Sequence, residues 1–284
     1  MMNDFCIFIL SHGRPDNVKT IKALEEAGYS GKWYIVIDNE DETADEYYNR
    51  YGDKVLMFDK KAESETFDTY DTVDNRKTIV YARNACFRLA KEVGVRYFME
   101  CDDDYKTFEN RYLKDGRLKV RKLTGSDLDE ACKSMIEFLK IPNVKTICFA
   151  QGGDFVGGLN SDMVKKTFRR KGMNSFFCDV EKPFKFVGRI NEDVNTYTTL
   201  GARGELILTM NRVSLTQETT QKAKSGMSDV YLDGGTYLKS MYSVLSAPSC
   251  VKISMMGTGH RRIHHRIKWN NCAPMILNER FKKT

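Results

Sequence analysis

The sequence predicts an α/β fold in which helices flank a mixed, mostly parallel β-sheet. Short apolar runs of strand length alternate with segments of helical periodicity along the first half of the chain, a pattern typical of parallel sheets. Glycine, proline and acidic residues stand between these runs, where helices and strands usually begin or end,. With 284 residues, of which 41% are hydrophobic, the chain can bury a sizeable core,. We therefore expect residues 1–284 to form a single domain.

The first half of the sequence predicts repeated strand–helix units. Pro15 lies near the start of the first helix with Asp16 as its cap, and the second strand ends in the acidic run DNEDE, which begins at Asp38,. Polar residues 59–77 form a longer connection than is usual in compact domains, which indicates a loop over a site,. In chain order we expect a strand at 5–10, a helix at 17–27, a strand at 33–37, a helix at 44–51 and a strand at 55–58.

The pattern changes in the second half. An Asp-Gly pair flanked by apolar and basic residues predicts a β-hairpin over 112–123,. An amphipathic helix over 128–139 and a buried strand over 144–150 follow,. Residues 176–187 are rich in aromatic residues and lysine, and we expect them to form an irregular wall rather than a regular element.

Three consecutive aspartates, Asp102 to Asp104, follow a helix that Gly94 ends and a short buried strand at 95–99,. Ligands of open α/β sheets bind beyond the carboxyl ends of the strands, so acids at this place favour a divalent cation. Two carboxylates combined with substrate phosphates suit Mg²⁺ or Mn²⁺. A solvated acidic turn is the alternative interpretation of the triplet.

Two further clusters could complete such a site. Glu192 and Asp193 precede a predicted helix, so they would serve either as residues of its N-terminus or as a catalytic base,. The C-terminal segment GTGHRRIHHRIKWNN contains His260, His264 and His265, one of which could join a metal site. His260 and His264 would share a face if this segment were helical, whereas the adjacent pair would point in different directions.

The net charge of +6 conceals an uneven distribution. Residues 105–122, 161–189 and 260–284 carry net charges of +5, +5 and +6, so the remainder carries about −10. Such basic segments indicate a polyanionic partner, either a sugar diphosphate or nucleic acid, and solvated charge is the alternative. No apolar run is long enough to span a bilayer, and the eight cysteines lack metal-site spacing,. We therefore expect a cytosolic protein with reduced thiols and with no membrane or obligate protein partner.

Together these motifs resemble the GT-A family of nucleotide-sugar glycosyltransferases, which have a Rossmann-like α/β fold. The segments FCIFILSHGRP, DNEDE, ARNA and MECDDD follow the family's order of strand, loop, Arg-Asn helix and strand ending in Asp-x-Asp. The resemblance implies that residues 1–104 bind the nucleotide sugar and residues 105–284 the acceptor. It implies a nucleoside pocket lined by Ser11, His12, Arg14 and Asp38, with Arg83 at the base or diphosphate and with Asp102 and Asp103 beside the donor. It also implies a Mn²⁺ or Mg²⁺ ion that is bound by Asp102 and Asp104 together with one of His260, His264 and His265. Asp193, or less readily Glu192, would face the acceptor.

Within that family the chain most resembles the TET-associated glycosyltransferases of phages, which add sugars to modified DNA bases such as 5-hydroxymethylcytosine. The resemblance is carried by the single-domain size, the basic segments of the acceptor half and the ending RIHHRIKW followed by APMIL. It implies a UDP-sugar donor, a DNA acceptor contacted by residues 112–123 and 161–189, and a location in the host cytoplasm. The chain departs from many DNA-binding proteins because it has no separate DNA-binding motif. Two alternatives remain: a glycosyltransferase acting on a protein, lipid or glycan, and a module that binds nucleic acid without catalysis.

Overall fold

The computed structural model describes residues 2–73, 75–165, 168–169, 171–217, 227–256 and 261–272. Its strands are β1 (Phe5–Leu10), β2 (Lys32–Asp38), β3 (Val55–Phe58), β4 (Tyr97–Asp102), β5 (Tyr105–Lys114), β6 (Arg117–Lys122), β7 (Val144–Gln151), β8 (Phe168–Arg169), β9 (Phe176–Asp179), β10 (Leu206–Gln217), β11 (Val251–Met256) and β12 (Arg262–Ile267). Its α-helices are α1 (Lys19–Glu26), α2 (Ala44–Tyr51), α3 (Lys60–Ser64), α4 (Val80–Glu92), α5 (Asp127–Leu139), α6 (Asp162–Lys165), α7 (Glu192–Ala202), α8 (Met227–Ser246) and α9 (Trp269–Cys272).

One large sheet has the strand order β3-β2-β1-β4-β9-β7-β10-β5-β6, with β8 paired to β10. The first four strands of that order, from β3 to β4, are parallel to one another. Beyond them β9 is antiparallel to both β4 and β7, β10 is parallel to β7, and β5 and β6 continue as an antiparallel hairpin. A separate two-stranded sheet pairs β11 with β12. The predicted α/β class with a mixed sheet and flanking helices is confirmed.

The central strands β1, β4 and β9 are buried on both faces, which explains why they are largely apolar runs,. In β1 all six residues are buried, and alternate side chains enter two separate cores. Phe5, Ile7 and Ile9 pack with residues of α1 and α5, whereas Phe8 packs with residues of α4. All eight cysteines are buried free thiols, as expected. In the part of the chain that the structure describes, no helix combines the length and the apolar character needed to cross a membrane.

Three local predictions need correction. Residues 176–187 were expected to be irregular, but β9 is a central strand whose four residues are all buried. Its sequence FFCD shows no alternation because Phe177 enters one core and Phe176 the other. The hairpin is longer than expected, since β5 begins at Tyr105, directly after the aspartates. The polar connection at 59–77 also contains a short helix, α3.

The topology places the predicted site residues at one edge of the sheet. Chain order runs from β1 through β2 to β3 on one side, whereas β4 lies on the other side of β1. The carboxyl ends of β1 and β4 therefore flank the point where the strand order reverses, which is where open α/β sheets bind ligands. The motifs SHGRPD, DNEDE and DDD follow β1, β2 and β4 at this edge.

Candidate active site

The middle aspartate of the triplet lies inside the protein. Asp103 is 1% exposed, and its two oxygens accept hydrogen bonds from Ser11 Oγ at 2.6 Å and Arg14 Nη2 at 2.9 Å. Burial raises the pKa of Asp103 to about 6, while Arg14 and the Ser11 hydrogen bond oppose the increase. Thr20 adds backbone support, because its hydroxyl donates to the carbonyl of Asp102 at 2.6 Å. These contacts fix the loop after β1 against the end of β4.

A second group joins the end of β2 to the same loop. His12 Nδ1 lies 2.9 Å from Asp38 Oδ2, and Lys60 Nζ lies 3.1 Å from the same oxygen. Burial alone would raise the pKa of Asp38, but the His12 hydrogen bond and the charge of Lys60 lower it overall. Asp41 accepts a hydrogen bond from the backbone N–H of Gly13 at 2.8 Å. Ser11, His12, Arg14 and Asp38 therefore lie in one neighbourhood, as the sequence predicted.

The buried guanidinium of Arg83 is the centre of the site. Arg83 projects from α4 and is 2% exposed. Its Nη2 donates to Asp102 Oδ1 at 3.1 Å, its Nη1 to Glu100 Oε2 at 3.3 Å, and its Nε to Glu192 Oε1 at 3.2 Å. The rings of Phe176 and Phe186 lie 5.0 and 5.7 Å from its central carbon. One side chain thus connects the aspartate triplet to the Glu-Asp motif.

Burial and crowded negative charge set the pKa values around this guanidinium. Burial raises the pKa of Asp102 to about 6; Arg83 opposes the shift, and the charges of Asp104 and Asp193 add to it. Burial likewise raises the pKa of Glu100 to about 8 against the opposing effect of Arg83. Burial would lower the pKa of Arg83 itself, but its carboxylate partners raise it. The arginine therefore stays charged, and its partners are held close by charge-assisted hydrogen bonds.

The Glu-Asp motif begins α7. The cap position belongs to Asn191, which has a positive φ of 62° and makes no side-chain capping bond, so neither carboxylate is the cap residue. Asp193 is 8% exposed, and its Oδ1 accepts a hydrogen bond from the N–H of Val194 at 2.7 Å. Burial and the charge of Asp193 raise the pKa of Glu192, and Arg83 opposes the increase. Asp193 thus has an oxygen that the internal ion pairs do not use.

The C-terminal histidines lie in a strand and not in a helix. His264 and His265 belong to β12, and their ring centroids are 4.2 Å apart. The rings therefore lie together, whereas the sequence predicted that they would point in different directions. Burial lowers the pKa of His265 to about 4, with His264 acting in the same direction and Asp193 opposing it. Nδ1 of His265 lies 3.5 Å from Nδ2 of Asn191, at the start of α7. His260 lies outside the described residues.

The acidic residues fit a divalent cation that is shared with a ligand. Among the residues that the structure describes, no three His, Cys, Asp or Glu side chains form a group able to hold a metal ion. Asp102 and Asp104 are nevertheless close enough to interact electrostatically. Magnesium commonly takes one or two protein carboxylates and completes its shell with water and substrate phosphates. Asp102 and Asp104 would therefore hold a metal together with a bound diphosphate.

Three residues that sequence reasoning missed contribute to the site. The hydroxyl of Tyr47 contacts Ser11 Oγ at 2.6 Å and accepts from the N–H of Arg14 at 2.9 Å. Lys60 is 4% exposed and pairs with Asp38 from the segment that was expected to be a loop. Glu100 is fully buried against Arg83. Only Glu100 carries a sequence signal, since it is a lone acid within an apolar strand.

Comparisons with known proteins identify one family. The family model of the TET-associated glycosyltransferases matches residues 5–226, well over half of the chain. No curated protein sequence matches. A crystal structure of S. aureus TarS 1-349 in complex with UDP-GlcNAc is similar at 10% identity with a TM-score of 0.44, covering 85% of this chain and 66% of that one. A mycobacterial protein gives 8% identity and a TM-score of 0.47 over 93% of this chain and 84% of that one.

The chain therefore spans slightly less than two thirds of the TarS fragment. The family match covers the segments that carry the aspartate triplet, the buried arginine and the Glu-Asp motif. The resemblance stated from the sequence is confirmed: this chain belongs to the TET-associated glycosyltransferase family.

Proposed function

We propose that this protein is a metal-dependent enzyme that transfers a sugar from a UDP-sugar to a hydroxyl of a modified DNA base, such as 5-hydroxymethylcytosine. The observation that carries the proposal is the contact of one guanidinium, that of Arg83, with both Asp102 and Glu192. It brings the two acidic motifs together where the strand order reverses, the place at which open α/β sheets bind ligands,. Membership of a glycosyltransferase family supports the transfer of a sugar.

On the donor side, residues 1–104 would bind the nucleotide. His12 would contact the nucleoside, because its side chain is 41% exposed and Asp38 orients it. Ser11 and Arg14 would act indirectly, since their polar atoms contact Asp103 inside the protein. A divalent cation held by Asp102 and Asp104 would supply positive charge to the leaving diphosphate.

Arg83 would be a positioning residue. Each of its three nitrogens contacts a carboxylate of the protein, so the guanidinium is not available to a donor phosphate in this arrangement. Its task would be to hold Asp102 and the start of α7 at a fixed separation. Such positioning matters because a displacement of about 1 Å near the reacting atoms can cost roughly 100-fold in rate.

On the acceptor side, a carboxylate must receive the proton that the hydroxyl loses as it attacks the anomeric carbon. Asp193 is the better candidate, because Arg83 holds Glu192, whereas among the described residues Asp193 accepts only a backbone N–H, at 2.7 Å. If the transfer inverts the anomeric centre, Asp193 would be the base. If the transfer retains it, Asp193 would position the acceptor hydroxyl.

The DNA acceptor is supported by the description of the family as TET-associated and by the basic segments of the acceptor half. A 5-substituent of cytosine projects into the major groove, and base flipping would bring it to a recessed site. A protein, lipid or glycan acceptor would make these basic segments incidental.

The test is an assay of purified protein with Mn²⁺, a panel of sugar nucleotides and DNA containing 5-hydroxymethylcytosine, with mass spectrometry of the digested nucleosides. We expect a hexose-sized or N-acetylhexosamine-sized gain that Asp104→Asn removes. Asp45→Asn is the matched control, because Asp45 is an exposed aspartate of α2. Hydrolysis of a UDP-sugar without any gain on DNA would refute the DNA acceptor and retain the donor chemistry.

A further inference from the structure

The hairpin of β5 and β6 has two chemically different faces. Residues paired across an antiparallel ladder share a face, and faces alternate along each strand. Tyr112 pairs with Lys119, and Lys114 pairs with Arg117, so these four residues lie on one face, which we call the basic face. Leu113 pairs with Leu118 on the opposite, largely apolar face. The amphipathic pattern indicates that the two faces meet different surroundings.

The apolar face is anchored to the protein at Leu118 and Arg111, whereas Leu113 and Val120 of the same face are 63% and 48% exposed. Leu118 packs against the buried cluster of Ala150 and Phe155. The guanidinium of Arg111, which also lies on this face, stacks over the Phe155 ring at 4.2 Å and donates to Ser214 Oγ at 2.7 Å. The pairing of β5 with β10 ends at Asn110, so the outer part of the hairpin is a two-stranded ribbon. These contacts hold the ribbon in place and turn its basic face away from the core.

The basic face carries cations that the described parts of the protein do not neutralise. Lys114, Arg117 and Lys119 are all exposed, and within the described ranges none of them has an ion pair. Farther along the same face, Arg121 is paired with Asp127 at 2.7 Å. The nearest acidic residue in the sequence is Asp115, in the turn of the hairpin. Net positive charge therefore accumulates at the outer end of the ribbon.

In the second basic segment, residues 161–189, most of the cations whose side chains the structure describes are bound within the protein. Lys171 pairs with Asp154 at 2.8 Å, Lys185 with Glu63 at 3.0 Å, and Arg189 with Asp71 at 2.8 Å. A fourth cation, Lys182, donates to backbone carbonyls, including that of Ile141 at 2.8 Å. Most of the described cations of this segment thus stabilise the protein itself. Among the residues that the structure describes, the hairpin is thus the segment that brings three exposed cations without ion pairs together on one face.

We propose that the basic face of the hairpin, formed by Tyr112, Lys114, Arg117 and Lys119, is a docking surface for the phosphate backbone of duplex DNA. The inference rests on the proposed function, since it supplies the surface that holds the acceptor. The charge of this face is complementary to that of duplex DNA, which carries one negative charge per about 1.7 Å of helix axis. The three cations bind phosphates without reading the base sequence.

The position of this face separates it from the donor site. Lys114 is ten residues from Asp104, about 33 Å along an extended strand,. These cations therefore lie too far from the aspartate triplet to bind the diphosphate of a sugar nucleotide. Tyr112 is the one large apolar side chain among the four residues of the basic face, so the face lacks the row of apolar groups with which membrane-surface elements insert,. Duplex DNA is the polyanion that this face fits.

The test measures binding of an unmodified, fluorescently labelled duplex of about 20 base pairs, without a sugar nucleotide, between about 50 and 200 mM salt. The variant K114Q/R117Q/K119Q is compared with K22Q/K61Q/K91Q, which removes the same charge from three other exposed lysines. Three lost phosphate contacts predict a fall of about 3 in the slope of log affinity against log salt, and roughly 100-fold weaker binding near physiological salt. The control variant should bind as the unaltered protein does.

The inference is overturned if the hairpin variant keeps the affinity and slope of the unaltered protein, or if the unaltered protein binds phosphatidylserine vesicles and not the duplex. Transfer to modified DNA together with unchanged binding by the hairpin variant would remove this inference and leave the proposed function. The opposite outcome is duplex binding that depends on the hairpin, in a protein that neither hydrolyses any sugar nucleotide nor transfers its sugar. That outcome would support this inference and remove the proposed function. Donor hydrolysis by the hairpin variant at the normal rate shows that the donor site is intact.

Discussion

Replacement of Arg83 by methionine is the most informative single change, because it removes the charge and keeps a long apolar side chain between Phe176 and Phe186. Removal of one partner from a buried ion pair costs about 3–5 kcal/mol, since the other charge is left uncompensated. Burial raises the pKa of Glu100 to about 8 although Arg83 opposes the increase, so loss of the arginine favours the uncharged form of this carboxyl. The cost therefore falls on Asp102 and Glu192, and we expect a loss within that range.

The matched control lies on the same helix. Arg88 forms an exposed i,i+4 ion pair with Glu92, and the two side chains are 50% and 52% exposed. Exposed pairs of this kind contribute about 0.5 kcal/mol or less. Urea unfolding followed by circular dichroism should therefore separate Arg83→Met from Arg88→Met by at least about 2 kcal/mol. In thermal scans the difference should be roughly 10 °C for a chain of this size.

Kinetics then distinguish positioning from donor binding. Under conditions where both variants are folded, we expect kcat of Arg83→Met to fall roughly 100-fold, with little change in the KM for the donor. Arg83→Lys should recover little, because an ammonium group cannot reproduce the fork that serves three carboxylates. Equal stability of the two methionine variants would refute the ion-pair geometry. A raised KM with unchanged kcat would show that Arg83 binds the donor, as the family resemblance implies.

Two further predictions test the surroundings of the site. Asp38→Asn should cost about 2 kcal/mol at pH 7, the usual contribution of hydrogen bonds to charged groups. Because the pKa of Asp38 is lowered in the folded state, its contribution to stability is present above its pKa in the unfolded chain and is lost on acidification,. The urea midpoints of the unaltered protein and of Asp38→Asn should therefore converge below about pH 4. A difference between the midpoints that stays constant with pH would contradict this sign. Gly188→Ala should cost more than Gly94→Ala in the same assay. Both glycines have positive φ, 80° and 70°, but a Cβ at Gly188 would meet Asn195 Nδ2 at 2.3 Å, whereas the space at Gly94 is open; equal costs would show that backbone strain alone acts at Gly188.

The sequence was sufficient to predict that three polar motifs share one edge of the sheet. SHGRPD, DNEDE and DDD each follow an apolar strand, and parallel strands bring their carboxyl ends to one edge,. Local pattern is enough here because the rule concerns strand direction and not side-chain contact. The same rule could not reveal that Lys60 pairs with Asp38, since the polar segment around it has no apolar period.

Long-range pairing was the part that sequence could not supply. Arg83 and Glu192 are 109 residues apart, and their contact depends on the placement of β9, which was not recognised as a strand. Charge counts failed for a related reason. The sum over residues 161–189 is +5, but it does not show that Lys185 and Arg189 are paired with acids more than one hundred residues away. The prediction that the rings of His264 and His265 diverge was wrong, because strand alternation sets the direction of each Cβ but not the side-chain torsions that bring the ring centroids to 4.2 Å,.

The contacts of the triplet explain why three aspartates stand where the proposed metal-binding pair needs only two. Both oxygens of Asp103 are used by Ser11 and Arg14, and its side chain is 2% exposed. This residue therefore secures the loop after β1, and its direct contact with a donor, which the resemblance implied, would require those bonds to break. Asp102 keeps one oxygen on Arg83, at 3.1 Å, and its side chain is 22% exposed. The internal contacts of Asp103 and Arg83 thus hold the outer aspartates, Asp102 and Asp104, in place. Within the triplet, Asp103 builds the site, whereas Asp102 and Asp104 would perform the proposed chemistry.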